Sequence, residues 1–239
     1  MKTDNDQVIS WILPKPINKN STNNIYLNHT LQKVLIRRGI DLNNELDEYI
    51  TPSELPDPED HFNELSKATQ RIIEACKGNE QIAICGDYDA DGLTSTVLLT
   101  ELLSSFGAKV NSYIPSRQDE GYGLNLNMIN KINNNQIKLI ITVDNGVSAF
   151  EAIKKSKELG IDLIITDHHK IPDIKLDIFS LIHPETTPKD SPYKYLAGVG
   201  IAYLLAKNIC RKLNYDISNS TAHVFFCIGT VADMAPLKG

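Results

Sequence analysis

Three times along this chain a short run of branched apolar residues stops at an aspartate, and that repetition constrains the fold more than any other feature. Ile82 to Cys85 (IAIC) leads through Gly86 into Asp87, Asp89, Asp91 and Gly92. Leu139 to Val143 (LIITV) leads into Asp144, Asn145 and Gly146, and Leu163 to Thr166 (LIIT) into Asp167, His168 and His169. Runs of this length and branching, bounded by turn residues, read as buried strands. Between them, residues 93–106, 125–134 and 148–159 carry helical periodicity and end near glycine or asparagine. Strands joined by single-helix crossovers imply a parallel sheet with right-handed connections, so the expected class is α/β, a parallel sheet flanked by helices.

Every one of these aspartates falls at the carboxyl end of a strand, where open α/β sheets bind their ligands. An acidic turn needs one such residue; three carboxylates within five residues repel one another unless a cation sits among them. A metal site is therefore expected. A fourth segment, IGTVADMAPL, adds Asp233. Mixed carboxylate and imidazole donors suit Mn²⁺, with Mg²⁺ the alternative through the carboxylates.

GDYDADG, TVDNG, DHH and GTVADM, in this order, resemble the four motifs of the DHH phosphoesterase superfamily. The flanking PSRQDEGYGLN and LAGVGIAYLL resemble its RecJ branch, the single-strand-specific exonucleases, and the likeness runs from about Trp11 to the last residue. This resemblance implies two divalent ions. Asp89 would bind the first and Asp91 the second, Asp144 would bridge both, and His168 and Asp233 would complete the second site. His169 would face the substrate and stabilise charge on the scissile phosphate. Asp87 would serve the catalytic centre by orienting ligands or a water, and Asn145 would support Asp144 by hydrogen bonding. Asp167 is either another carboxylate orienting the ligands or a cap on its turn. Arg117, in a loop at the same sheet edge, would bind substrate by forking onto a phosphate. Gly121 and Gly123 would fix that loop's backbone.

The implied reaction is metal-dependent hydrolysis of phosphodiesters by coordinated water, with two ions about 4 Å apart. The implied role is the core of a 5′-to-3′ exonuclease in DNA repair and recombination, with single-stranded DNA and other repair proteins as partners. Within the superfamily, phosphodiesterases for oligonucleotides or cyclic dinucleotides and a pyrophosphatase are the rival enzymes. A haloacid-dehalogenase-type phosphatase leaves DHH and GTVAD unexplained, and a silent binding module would shed motif ligands that this chain keeps. Family members continue into a second lobe with a GGH motif; no GGH occurs here, and a chain of this extent alone is expected to be a poor exonuclease.

Composition adds bounds. Apolar content of 41% and charged content of 23% suit a soluble globular protein. No apolar run reaches membrane-spanning length, and the N-terminus lacks a signal-peptide core. Four cysteines, Cys76, Cys85, Cys210 and Cys227, are scattered without a C-x-x-C pair and read as small core residues of a reduced, cytoplasmic protein. The net charge of −6 means that any surface gripping nucleic acid must be local or supplied by a partner.

Residues 1–60 read as an arm with Trp11 as its anchor plus a helical preface (helices near 27–38 and 42–50), and residues 61–239 as the phosphoesterase domain. Within the latter, further helices are expected at 61–77, 196–213 and 218–230, and strands at 109–114 and 179–182. His183 reads as structural; His29, His61 and His223 carry no functional signal.

Overall fold

The structure is a computed structural model describing residues 27–43, 46–47 and 54–237; the arm with Trp11 and most of the expected helix at 42–50 lie outside these residues. The chain divides into two compact units, Met1–Leu55 and Pro56–Gly239. In the first, α1 (His29–Arg37) is capped by Asn28, whose side chain accepts the Thr30 N–H. The second begins at Pro56 because the following turn is bound to it. Asp57 and Glu59 pair with Arg211, and Glu59 also accepts from Asn208.

The second unit is a five-stranded, wholly parallel sheet in the order β2-β1-β3-β4-β5. Its strands are β1 (Gln81–Cys85), β2 (Lys109–Tyr113), β3 (Leu139–Val143), β4 (Asp162–Thr166) and β5 (Ser180–Ile182). The helices are α2 (Leu65–Lys77), α3 (Ala90–Ser105), α4 (Leu126–Asn134), α5 (Phe150–Glu158), α6 (Gly198–Lys212) and α7 (Ala222–Ala232). Alternation along the strands splits the apolar side chains between two cores. Ile82, Ile84, Leu139, Ile141 and Ile164 pack under α2, α3 and α6, while Ala83, Cys85, Ile140, Leu163 and Ile165 pack under α4 and α5. Burial on both faces explains why β3 has no polar alternation: all five of its residues are buried. β2, at an edge, keeps Lys109, Asn111 and Ser112, which blunt it against further pairing.

Three helix starts lie three or more residues from the sequence expectation; α7 begins at Ala222 rather than residue 218, because Ile217–Asn219 forms a separate 3₁₀ turn. α2 begins at Leu65 rather than His61, because Pro58–Asp60 forms a separate 3₁₀ turn. α3 begins at Ala90 rather than Leu93, because the Asp89 carboxylate accepts the Gly92 N–H at 2.9 Å and so acts as its N-cap. Asp91 thereby lies in the first helical turn, not in a loop. All four cysteines are free; Cys85 and Cys210 are buried and Cys76 half-buried, but Cys227 is exposed and is not a core residue. Among the described residues no helix is long and apolar enough to cross a membrane.

Candidate metal centre

Strand order reverses between β1 and β3: the chain leaves β1 for β2 on one side and returns past it to β3 on the other. Such a switch point opens a crevice at the carboxyl ends of the strands. Asp87, Asp89 and Asp91 follow β1, Asp144 follows β3, and Asp167, His168 and His169 follow the next strand, β4. Parallel registration (Val143 with Thr166, Thr166 with Ile182) keeps these ends level, so all three motifs face one edge.

Asp144 is the centre of the arrangement. It is 1% exposed and holds a left-handed backbone (φ 60°), a conformation aspartate tolerates better than most residues. His168 Nε2 lies 3.1 Å from Asp144 Oδ1 without the alignment of a hydrogen bond, and both carboxylate oxygens are buried with no donor. Burial, reinforced by the charges of Asp91 and Asp89, pushes the Asp144 carboxyl up to about 10. A buried acid that no donor satisfies is costly, and a cation removes that cost.

Donor atoms converge in two groups. Asp144, His168 and His169 form one; Asp91, His168 and Asp233 form the other, with all atoms of each group within 4.8 Å of one another. His168 is common to both, the position expected for Asp144. Asp233 arrives from the C-terminal end of α7. Asp89 stands outside both groups: it is exposed and spends one oxygen on its helix cap, although its charge still acts on Asp144. Asp87 is fully buried, with Oδ1 accepting the Gly123 N–H (3.3 Å) and Oδ2 unpartnered; burial raises its pKa. Arg117 is exposed, its guanidinium carbon 5.4 Å above the Tyr88 ring.

Other residues hold these groups in place. Asp91 accepts the Gly198 and Val199 N–H groups at 2.6 and 2.7 Å, so the N-terminus of α6 grips both carboxylate oxygens. Burial still raises its pKa against those bonds. Asp167 fills both roles left open for it. It caps its turn by accepting the His168 and His169 N–H groups, and it accepts from His169 Nδ1 at 2.8 Å. Burial would raise its pKa, but these bonds and that from Val147 outweigh it and hold Asp167 below the usual carboxylate range. The same Asp167 bond raises the pKa of His169.

Asn145 does not bond the Asp144 carboxylate. Its amide donates to Cys85 O and Val143 O and its oxygen accepts the Leu124 N–H, tying the ends of β1 and β3 to the EGYG loop.

Of three further contributors, Tyr122 and Gly198 escaped the sequence reading and His183 was read there only as structural. Tyr122 donates to Asp144 O at 2.9 Å and touches the His169 ring nitrogens at 3.1 and 3.3 Å. His183, fully buried, accepts the Glu185 N–H at Nδ1 and therefore donates from Nε2 to His169 O (2.7 Å). It is structural, as expected, but what it supports is the His-His turn itself. Gly198 is the third: a Cβ there would come within 2.6 Å of Asp144 Cβ and 2.8 Å of Oδ1. The glycines of EGYG and LAGVG were the available signals, since paired glycines beside a motif mark close approach. Gly198→Ala is expected to destabilise the fold by about 1–3 kcal/mol through overpacking. Because it displaces Asp144, it should also weaken Mn²⁺ binding about tenfold or more; calorimetric titration alongside a thermal melt measures both.

A parallel sheet with acid and imidazole groups gathered at its switch point defines an α/β protein with a candidate metal centre, and the sequence places it in a family. Residues 81–230 match the DHH family, N-terminal domain, and the chain belongs to that family. It is 36% identical over 232 residues to the single-stranded-DNA-specific exonuclease RecJ of Bacillus subtilis, a span of 95% of this chain and 29% of that relative. Its fold matches a crystal structure of exonuclease RecJ bound to manganese (TM-score 0.68, 32% identity, 74% of this chain and 45% of the other). It also matches RecJ in complex with Mn²⁺ from Thermus thermophilus (TM-score 0.67, 28% identity, 90% and 30%). The chain thus spans less than half the length of each of these proteins.

Proposed function

We propose that this protein hydrolyses phosphodiester bonds in single-stranded DNA with divalent metal ions, Mn²⁺ by preference and Mg²⁺ as substitute. The observation that carries the reading is the Asp144 carboxylate, buried without a donor and grouped with His168 and His169, with His168 shared by the second group of Asp91 and Asp233. Manganese suits such a mixed oxygen and nitrogen donor set. Asp91, Asp144, His168 and Asp233 would hold the ions, with Asp89 reaching them from the rim. When bound, the ions supply Lewis acidity and lower the pKa of coordinated water.

The protein's own groups do the rest. The α6 N-terminus keeps Asp91 ionisable and oriented. His169, held by Asp167 and favouring its charged form, is placed to stabilise charge on the scissile phosphate. Asp87 would orient a ligand or a water through its unpaired oxygen. Arg117 would fork onto a neighbouring phosphate. The proposed polarity is 5′ to 3′, and the proposed setting repair and recombination alongside other repair proteins, as the motif resemblance implies. Free, scattered cysteines favour the cytoplasm.

The test is digestion of end-labelled DNA by the protein with Mn²⁺. Single strands should be shortened from the 5′ end, slowly for a chain of this extent alone, with duplexes spared, and Asp144→Ala or chelation should stop the reaction. Digestion unaffected by Asp144→Ala would sink the assignment of this site.

A further inference from the structure

A file of flat side chains leads out of the metal centre along the sheet edge. The His169 ring meets Tyr122 edge-to-face (centroids 5.5 Å apart), and Tyr122 meets Tyr88 at right angles (6.3 Å). The Arg117 guanidinium then lies 5.4 Å over the Tyr88 ring. These four groups come from three separate loops, after β4, β2 and β1, and neither apolar core includes the two tyrosines. Tyr122 is 48% exposed, Arg117 and His169 are exposed, and Tyr88 is half-buried. These contacts leave part of the ring surface facing water, since Tyr122 is exposed and Tyr88 half-buried, and water is a poor partner for it.

The loop carrying the file is fastened to the metal centre. Tyr122, Gly123 and Leu124 in succession bond Asp144 O, Asp87 Oδ1 and Asn145 Oδ1, with Gly123 at φ 63°. The file therefore keeps a fixed distance from the point where the bond is cut, which hydrophobic packing alone would not require.

We infer that Tyr88 and Tyr122 form a stacking platform for an unpaired nucleobase beside the scissile phosphate, with Arg117 closing its outer end. The inference rests on the phosphodiesterase reading above and adds the feature of the substrate that the platform reads. A chain of net charge −6 has little long-range attraction for a polyanion, whereas stacking needs no net positive charge. Bases in a duplex have both faces covered, so a platform of this kind admits single strands and rejects paired ones. Because every base has a π-face, it reads strandedness without reading sequence.

The experiment is equilibrium binding of fluorescent phosphorothioate oligonucleotides, which resist hydrolysis, to the Mn²⁺-loaded protein. One strand carries ordinary bases and its twin carries abasic sugars at the terminal positions. The protein is expected to prefer the base-bearing strand about tenfold, and both Tyr88→Leu and Tyr122→Leu to erase that preference, with Tyr88→Leu, which costs no hydrogen bond to the metal-centre groups, binding the abasic strand as before. Tyr88→Phe and Tyr122→Phe, which keep the rings, should retain it; thermal melts confirm that each variant is folded. Equal preference in the Leu variants and the unaltered protein overturns the platform and leaves the phosphodiesterase reading standing. Phe variants as impaired as Leu variants overturn it too, since hydroxyl contacts would then be the cause. Failure of the unaltered protein to bind either strand removes the single-strand reading and the platform together.

Discussion

Saturating Mn²⁺ is expected to raise the melting temperature by on the order of 10 °C, and Asp144→Ala to abolish most of that rise. At about a thousandfold excess over Kd, a ligand that binds only the folded state adds about 4 kcal/mol. For a domain of this size each kcal/mol is worth about 2–4 °C. The sign with pH follows from the raised pKa of Asp144. Without metal, the folded state keeps a proton on Asp144 that the unfolded chain has released, from the ordinary aspartate value of 3.8 upward to about 10. Stability from this group is therefore complete at acid pH and is lost progressively as pH rises through that window. Bound metal replaces the proton, so the Mn²⁺-induced rise should be larger at pH 8 than at pH 5. Differential scanning calorimetry at both values checks it. An Asp144→Ala variant with an unaltered Mn²⁺ response would move the metal site elsewhere.

Replacing the two adjacent histidines should have opposite signatures. His168 contributes a donor to both groups of candidate ligands, so His168→Ala should weaken Mn²⁺ binding and activity together. His169 has Nδ1 occupied by Asp167 and its ring 45% exposed toward the edge of the site. His169→Ala should leave Mn²⁺ binding nearly unchanged and cut kcat by about 10²–10³, the usual cost of losing one electrostatic stabiliser. Titration calorimetry and single-turnover cleavage separate the two effects. Equal loss of metal in both variants would make His169 a ligand and reassign the charge-stabilising role. The geometry makes this a real contest, because a His169 nitrogen falls within ligand distance of Asp144 and His168.

The strands, their parallel pairing and the edge that carries the site were all legible in the sequence. Each rests on local information: IAIC, LIITV and LIIT are buried on both sides, and their aspartates mark where each strand must end. The motif order supplied the family in the same way, since four short strings in fixed succession need no tertiary knowledge. Local chemistry also governs the start of α3, where the Asp89 cap was present in the sequence but outweighed by the reading of three aspartates as one loop.

What only the tertiary structure decided is how the donors are held. Asp91 is gripped by backbone groups 107 and 108 positions away, and His169 O accepts from His183 fourteen residues on. Gly198 is required by the Asp144 side chain, not by any turn of its own. Asn145 is bonded to two strand ends rather than to its neighbour, and Tyr122 reaches across to both Asp144 and His169. Side-chain periodicity and capping rules report on neighbours within a turn or a strand, whereas these contacts form only when separate crossovers bring their loops to one edge. The residue types that meet a metal are thus written locally, and their geometry is a property of the packed sheet.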